Sequence, residues 1–194
     1  VEADGLLVLP GGVDSHCHIE ETSRGGYTMS DGEPQVTVNE ESFVTASTSA
    51  FAGGTTSVVC FIPQWKGFGV WDRYQDARRR GETGMLDFAF HQIISDPTDA
   101  VMQQEVPKVV AEGVRSLKVF LTYEPLHLSD AEYIKVLLAA RRHGCLVTVH
   151  CENYDAIGWR TQALLAAGMT GPKYHAWSRP RVVEREATHR AIAL

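Results

Sequence analysis

The sequence predicts an α/β fold on a parallel sheet, a partial (β/α)8 TIM-like barrel comprising about its first five strand–helix units. Three observations lead there. Short runs rich in Val, Ile and Leu alternate five times with helical segments, the pattern of a parallel sheet with crossover helices. From Thr56 to Asp87, Ser116 and Leu146 the strands recur at about thirty residues, one βαβ period. His16 and His18 end the first strand and His150 ends the fifth. Chemistry at the C-terminal ends of several parallel strands marks the active face of a barrel. Five units do not close eight strands, and a complete barrel takes about 250 residues. The alternatives are an open α/β sheet and a piece of a barrel, and the placement of the histidines selects the piece. Residues 1–194 are then the N-terminal part of a catalytic barrel.

The elements follow in order. Leu7 and Val8 lead through Pro10-Gly11-Gly12 into the first strand. Glu20 to Val38 reads as a polar, glycine-containing loop, longer than most connections. Asn39 is a candidate cap for a helix with Glu40 and Glu41 in its first turn, running to about Ala52 and stopping at Gly53-Gly54. Thr55–Ile62 is β-branched and apolar, a second strand. A loop with Trp65 and Gly67 precedes a helix near Trp71–Arg80, and Leu86–Ile94 is the third strand. Asp96-Pro97 opens a helical stretch that Pro107 should kink or split, and Ser116–Thr122 is the fourth strand. Ser129-Asp-Ala-Glu132 is a capping box for a helix ending at His143-Gly144, and Cys145–His150 is the fifth strand. Helices from about Tyr154 to Ala167 and from about Val183 complete the chain.

Composition excludes several classes. A hydrophobic fraction of 44% supplies a real core. A net charge of −6 and a pI near 5.7 give no basis for nucleic-acid or anionic-membrane binding. No apolar run reaches the roughly 20 residues of a membrane span, and no signal peptide opens the chain. Cys17, Cys60, Cys145 and Cys151 lack CxxC spacing and read as reduced thiols, so a cytoplasmic location is expected.

Residues two apart on a strand share a face, about 6.5 Å apart, so His16 and His18 can turn onto one ion. Against this stands the plain reading of two polar residues near a strand end. Lys118, inside Leu117-Lys-Val-Phe-Leu121, is a lysine among apolar neighbours in mid-strand. Burial there lowers its pKa, and a neutral amine can take up carbon dioxide as a carbamate, an anionic oxygen ligand able to bridge two metals. The competing reading is a lysine snorkelling from an edge strand. Cys17 alternates away from the histidines and reads as core, and His91 as a satisfied core histidine. Asp14 either orients a ligand or caps the turn. Glu152 and Asn153 sit beside His150 with either role open, and Trp65, Phe68 and Trp71 either line a substrate pocket after the second strand or, the preferred reading, serve packing.

His16-Cys-His18, Ser116-Leu-Lys-Val-Phe120 and His150-Cys-Glu-Asn153 together resemble the hydantoinase/dihydropyrimidinase branch of the amidohydrolase superfamily. Phe51-Ala-Gly-Gly-Thr-Thr56 and Tyr174-His-Ala-Trp-Ser-Arg-Pro180 extend the resemblance along nearly the whole chain. The resemblance implies a (β/α)8 barrel of the metal-dependent amidohydrolase type with a binuclear centre, usually zinc. His16 and His18 would bind one metal, His150 the other, and carboxylated Lys118 would bridge them. Tyr123 matches the tyrosine that hydrogen-bonds the substrate carbonyl as it becomes an oxyanion.

The implied reaction is ring-opening hydrolysis of a cyclic amide or ureide, a hydantoin or dihydropyrimidine, by a metal-bridging hydroxide. An allantoinase- or dihydroorotase-like sister enzyme and a non-catalytic dihydropyrimidinase-related scaffold are the alternatives. The family pattern also has a sixth-strand histidine and an eighth-strand aspartate, which this sequence does not contain, and a small β-sandwich domain that is largely missing. The expectation is a fragment of a larger, homo-oligomeric enzyme, inactive by itself. The long segment from Glu20 to Val38 leaves the substrate open.

Overall fold

The computed structural model describes residues 2–20, 22–28, 34–38 and 41–194, with strands 22–28 and 34–38 described by their backbone. Strand β1 (Gly12–Cys17) is followed by β2 (Thr22–Thr28) and β3 (Pro34–Val38), which pair antiparallel as a separate ribbon. The sequence reading of this stretch as one long loop is therefore corrected. Its alternation is too polar to signal strands, and pairing supplies what the pattern lacks.

Five parallel strands make up the main sheet: β1, β4 (Thr55–Ile62), β5 (Asp87–Ile93), β6 (Ser116–Phe120) and β7 (Leu146–His150), in the order β1-β4-β5-β6-β7. Each strand lies beside its predecessor with no reversal. A doubly wound open sheet reverses its order at a switch point, so this succession is that of a (β/α)8 barrel through its first five strands.

The chain divides into two compact units, one running to Ile62 and including Asp72–His91, the other comprising Pro63–Trp71 and Gln92–Leu194. In the first, α1 (Phe43–Ala52) starts at Ser42, whose hydroxyl accepts from the Thr45 amide while Thr45 Oγ1 accepts from the Ser42 amide. Ser42, not Asn39, is the cap, and Asn39 lies outside the described residues. Gly11 makes the approach of β1 to β4 possible, because a Cβ at that position would overlap the Thr56 side chain. Phe43 meets Phe88 edge to face, Phe90 meets Tyr74 of α2 (Trp71–Gly81) in the same way, and Phe88 tilts against Phe90 to join the two pairs.

In the second unit every residue of β6 is buried, with Leu117 and Val119 completely so. A π-helical turn, Val101–Glu105, passes into α3 (Val106–Ala111) with Pro107 in its first turn, the split that a proline in this stretch predicts. Helix α4 (Asp130–His143) carries the Ser129–Glu132 capping box and ends on Gly144, whose φ of 66° a side chain rarely adopts. Asn153 caps α5 (Tyr154–Ala166) by accepting from the Ala156 amide at 2.9 Å, which fixes the role left open in sequence. A short helix, α6 (His175–Ser178), and α7 (Arg181–Ala193) follow.

Gln64, fully buried, organises the loop after β4. Its amide donates to the carbonyls of Phe68 and Asp96, and its oxygen accepts from the amides of Ser95 and Asp96. Glu105 holds the end of the same loop, accepting from the amides of Val70 and Trp71 at 2.6 and 2.9 Å. Phe68 is nonetheless 48% exposed, so packing does not account for it as it does for the partly buried Trp65 and Trp71. Gln64→Leu keeps the volume and strands these backbone groups. It should cost about 1–3 kcal/mol for each group left unsatisfied, read as a lowered denaturant midpoint at constant m-value.

Candidate metal centre

The donors singled out in sequence fall into two sets, one in each unit. In the first, the His16 and His18 rings lie 5.7 Å apart at the end of β1. Both rest on Phe61, at 4.5 and 4.8 Å, and His91 stacks on the same ring at 4.8 Å. An aromatic floor thus limits the rotamers of both imidazoles. His91 Nε2 lies 2.9 Å from the Ser15 carbonyl, which agrees with its reading as a satisfied histidine. Asp14 accepts from the His16 amide at 3.0 Å, so it acts on the turn's backbone. Cys17 points the other way, its Sγ 3.4 Å from that of Cys60. The contact with Cys60 lowers the Cys17 pKa and raises that of Cys60, where burial pushes in the same direction.

In the second unit Lys118 is only 6% exposed, its Nζ 4.9 Å from the Phe120 ring. Burial lowers its pKa from the usual 10.5. His150, at the end of β7, stacks on Phe120 at 5.8 Å and tilts against Tyr123 at 5.0 Å. The Tyr123 hydroxyl is 3.5 Å from His150 Nε2, a long contact. Tyr123 has φ of 66°, left-handed for a bulky residue, and its carbonyl accepts from the amides of Leu126 and His127 at 2.8 Å each. Such strain, of order 1–3 kcal/mol, gathers where function requires a side chain to be aimed.

Sequence reasoning left Glu152 undecided and gave Arg179 no role. The structure joins them to His150: Glu152 Oε2 lies 2.9 Å from His150 Nε2 and accepts from Arg179 Nη1 at 2.7 Å. Burial raises the Glu152 pKa, but hydrogen bonds from His150 and Arg179 outweigh it and hold the carboxyl below its ordinary value. The Arg179 guanidinium also sits 5.5 Å from the Tyr123 ring centre. The only sequence signal was Arg179's place in the Ser-Arg-Pro turn.

Among the described residues, no group of three or more His, Cys, Asp or Glu side chains is arranged to hold a metal. The donor chemistry of each set still fits divalent cations. One offers two imidazoles side by side on a strand end, the other an imidazole and an amine whose neutral form burial favours. With no metal bound, the lowered Lys118 pKa has a sign that can be read directly. The unfolded chain holds this proton more tightly, so stability rises with pH between the lowered value and 10.5, and is reduced below that interval. Lys118→Met should therefore stabilise the metal-free chain at neutral pH and flatten the alkaline rise, as followed by denaturant unfolding across pH.

No family model matches the chain. Curated relatives do. A D-hydantoinase of Rhizobium radiobacter is 37% identical over 198 aligned residues, covering all of this chain and 40% of the relative. A D-hydantoinase of Ralstonia pickettii is also 37% identical, with the same coverage. Among solved structures, a dihydropyrimidinase from Brevibacillus agri NCHU1002 superposes with a TM-score of 0.84 at 37% identity, over 95% of this chain and 38% of that one. The chain thus spans about two fifths of the length of the relatives it matches.

Proposed function

This chain belongs to the D-hydantoinase/dihydropyrimidinase family, and on that premise we propose that it carries half-sites of a metal-dependent hydrolase that opens cyclic amides or ureides, hydantoins or dihydropyrimidines. The observation that carries this reading is Lys118. A lysine 6% exposed in the middle of a parallel strand is uncommon, and burial there favours its neutral amine. As a neutral amine it adds to carbon dioxide and loses a proton, becoming an anionic two-oxygen ligand.

His16, His18, His150 and carboxylated Lys118 would hold two divalent cations, most simply Zn2+, which when bound supply Lewis acidity at the amide carbonyl and lower the pKa of water. The chain's own residues do the rest. Phe61 restricts the rings of His16 and His18, so little side-chain entropy is lost on ligation. Glu152 orients the imidazole of His150 and is itself fixed by Arg179. The Tyr123 hydroxyl donates to the carbonyl oxygen of the substrate as negative charge develops there. Its left-handed backbone sets the direction in which the ring leaves the chain.

The test belongs on the full-length protein, since this chain covers two fifths of its relatives. Ring opening of hydantoin or a dihydropyrimidine, followed by ultraviolet absorbance, should vanish on exhaustive chelation and return with Zn2+. Turnover that survives removal of all metal would overturn the reading. So would a metal-replete protein that opens no cyclic amide.

A further inference from the structure

Cys17 and Cys60 have no part in the chemistry above, yet they face each other across neighbouring strands. They are register partners in the parallel β1–β4 pair, with Sγ atoms 3.4 Å apart. Adjacent strands lie about 4.7–4.9 Å apart, within the roughly 4.4–6.8 Å between Cα atoms that a disulfide spans. Closing from 3.4 Å to a covalent bond of about 2.05 Å therefore calls for side-chain rotation and a small backbone adjustment. The place to adjust exists, because the register of the β1–β4 pair shifts between Asp14 and Cys17. Access is graded: Cys17 is half-buried, whereas Cys60 is 1% exposed. The Cys17 Sγ also lies 3.6 Å from the Val59 carbonyl, much as those of Cys145 and Cys151 lie 3.9 and 3.8 Å from backbone carbonyls, and what sets the pair apart is the second sulfur.

We propose that Cys17 and Cys60 form a reactive dithiol that a small-molecule disulfide converts to an intramolecular cross-strand disulfide. Cys17, the more accessible thiol, attacks one sulfur of the oxidant, giving a mixed disulfide and releasing one small thiol. Cys60 then attacks the Cys17 sulfur, closing the bond and releasing the second. The two cysteines lose two electrons and two protons, and the two small thiols formed carry both away. Because Cys17 lies between His16 and His18, the bond would place a covalent, redox-dependent tie within the strand end that carries both imidazoles.

The native full-length protein is treated with oxidised glutathione, quenched by alkylation, and read by intact mass and peptide mapping. The expected product has lost two hydrogens, carries a single Cys17–Cys60 link and no retained glutathione at either residue, and reverts with dithiothreitol. The link should form at least about tenfold faster in the folded chain than in urea, because folding raises the effective concentration of one thiol at the other. Cys60→Ala should instead retain glutathione at Cys17, and Cys17→Ser should abolish the link, with exchange at Cys145 and Cys151 unchanged in both. A stable adduct on wild-type Cys17 with Cys60 reduced would overturn the proposal. So would a link through Cys145 or Cys151, no reaction, or equal rates folded and unfolded. Should either variant fail to fold, the wild-type peptide map and the rate comparison decide alone.

Discussion

Lys118→Ala in the full-length protein is expected to lose most of its bound metal and essentially all of its hydantoin-opening activity together. On the proposed reading, the substitution would remove the anion that bridges two dications and leave the remaining ligands facing unscreened positive charge. It also empties a site that is 6% exposed within a fully buried strand. A control for packing is therefore needed, and Lys118→Met supplies one, since it refills the volume without the amine. Both variants should lose metal, but only the alanine should unfold markedly earlier. Short-chain carboxylates should restore part of the metal content to Lys118→Ala, because they offer two oxygens in the carbamate's place. Metal analysis beside steady-state kinetics checks each of these outcomes.

Tyr123→Phe is the complementary case. The ring, its tilted contact with His150 and the contact with the Arg179 guanidinium all remain, and only the hydroxyl is lost. Removal of one donor to a developing oxyanion typically costs roughly 2.7–4 kcal/mol, a hundred- to a thousandfold in rate. Metal content should be unchanged, with kcat falling and KM moving far less. A variant that loses its metals instead would show that Tyr123 supports the His150 side of the centre and does not act on substrate.

What could be read from sequence was what is local. The Ser129–Glu132 capping box, the Gly144 stop and the β-branched run of β4 each lie within a few residues, and each is found where expected. Lys118 was legible for the same reason, as one charge inside an apolar strand. Helix α1 shows the limit: Asn39 and Ser42 are both good caps, and the helix takes Ser42, whose hydroxyl Thr45 can answer. The ribbon of β2 and β3 was missed because its stability rests on pairing between two polar segments. Contacts across long stretches of chain were out of reach altogether. Arg179 meets Glu152 across 27 residues, and Cys17 meets Cys60 across 43. Nothing in local periodicity joins such pairs; the succession of parallel strands and crossovers does.

The most direct measurement of the central claim is carbon nuclear magnetic resonance of the full-length protein after equilibration with isotopically labelled bicarbonate. One carbamate resonance is expected in the metal-replete wild type, bleached by acid and by exhaustive chelation, and absent from Lys118→Met. An active, metal-replete protein without that resonance, or one whose resonance persists in Lys118→Met, would contradict the assignment of Lys118 as the bridging ligand.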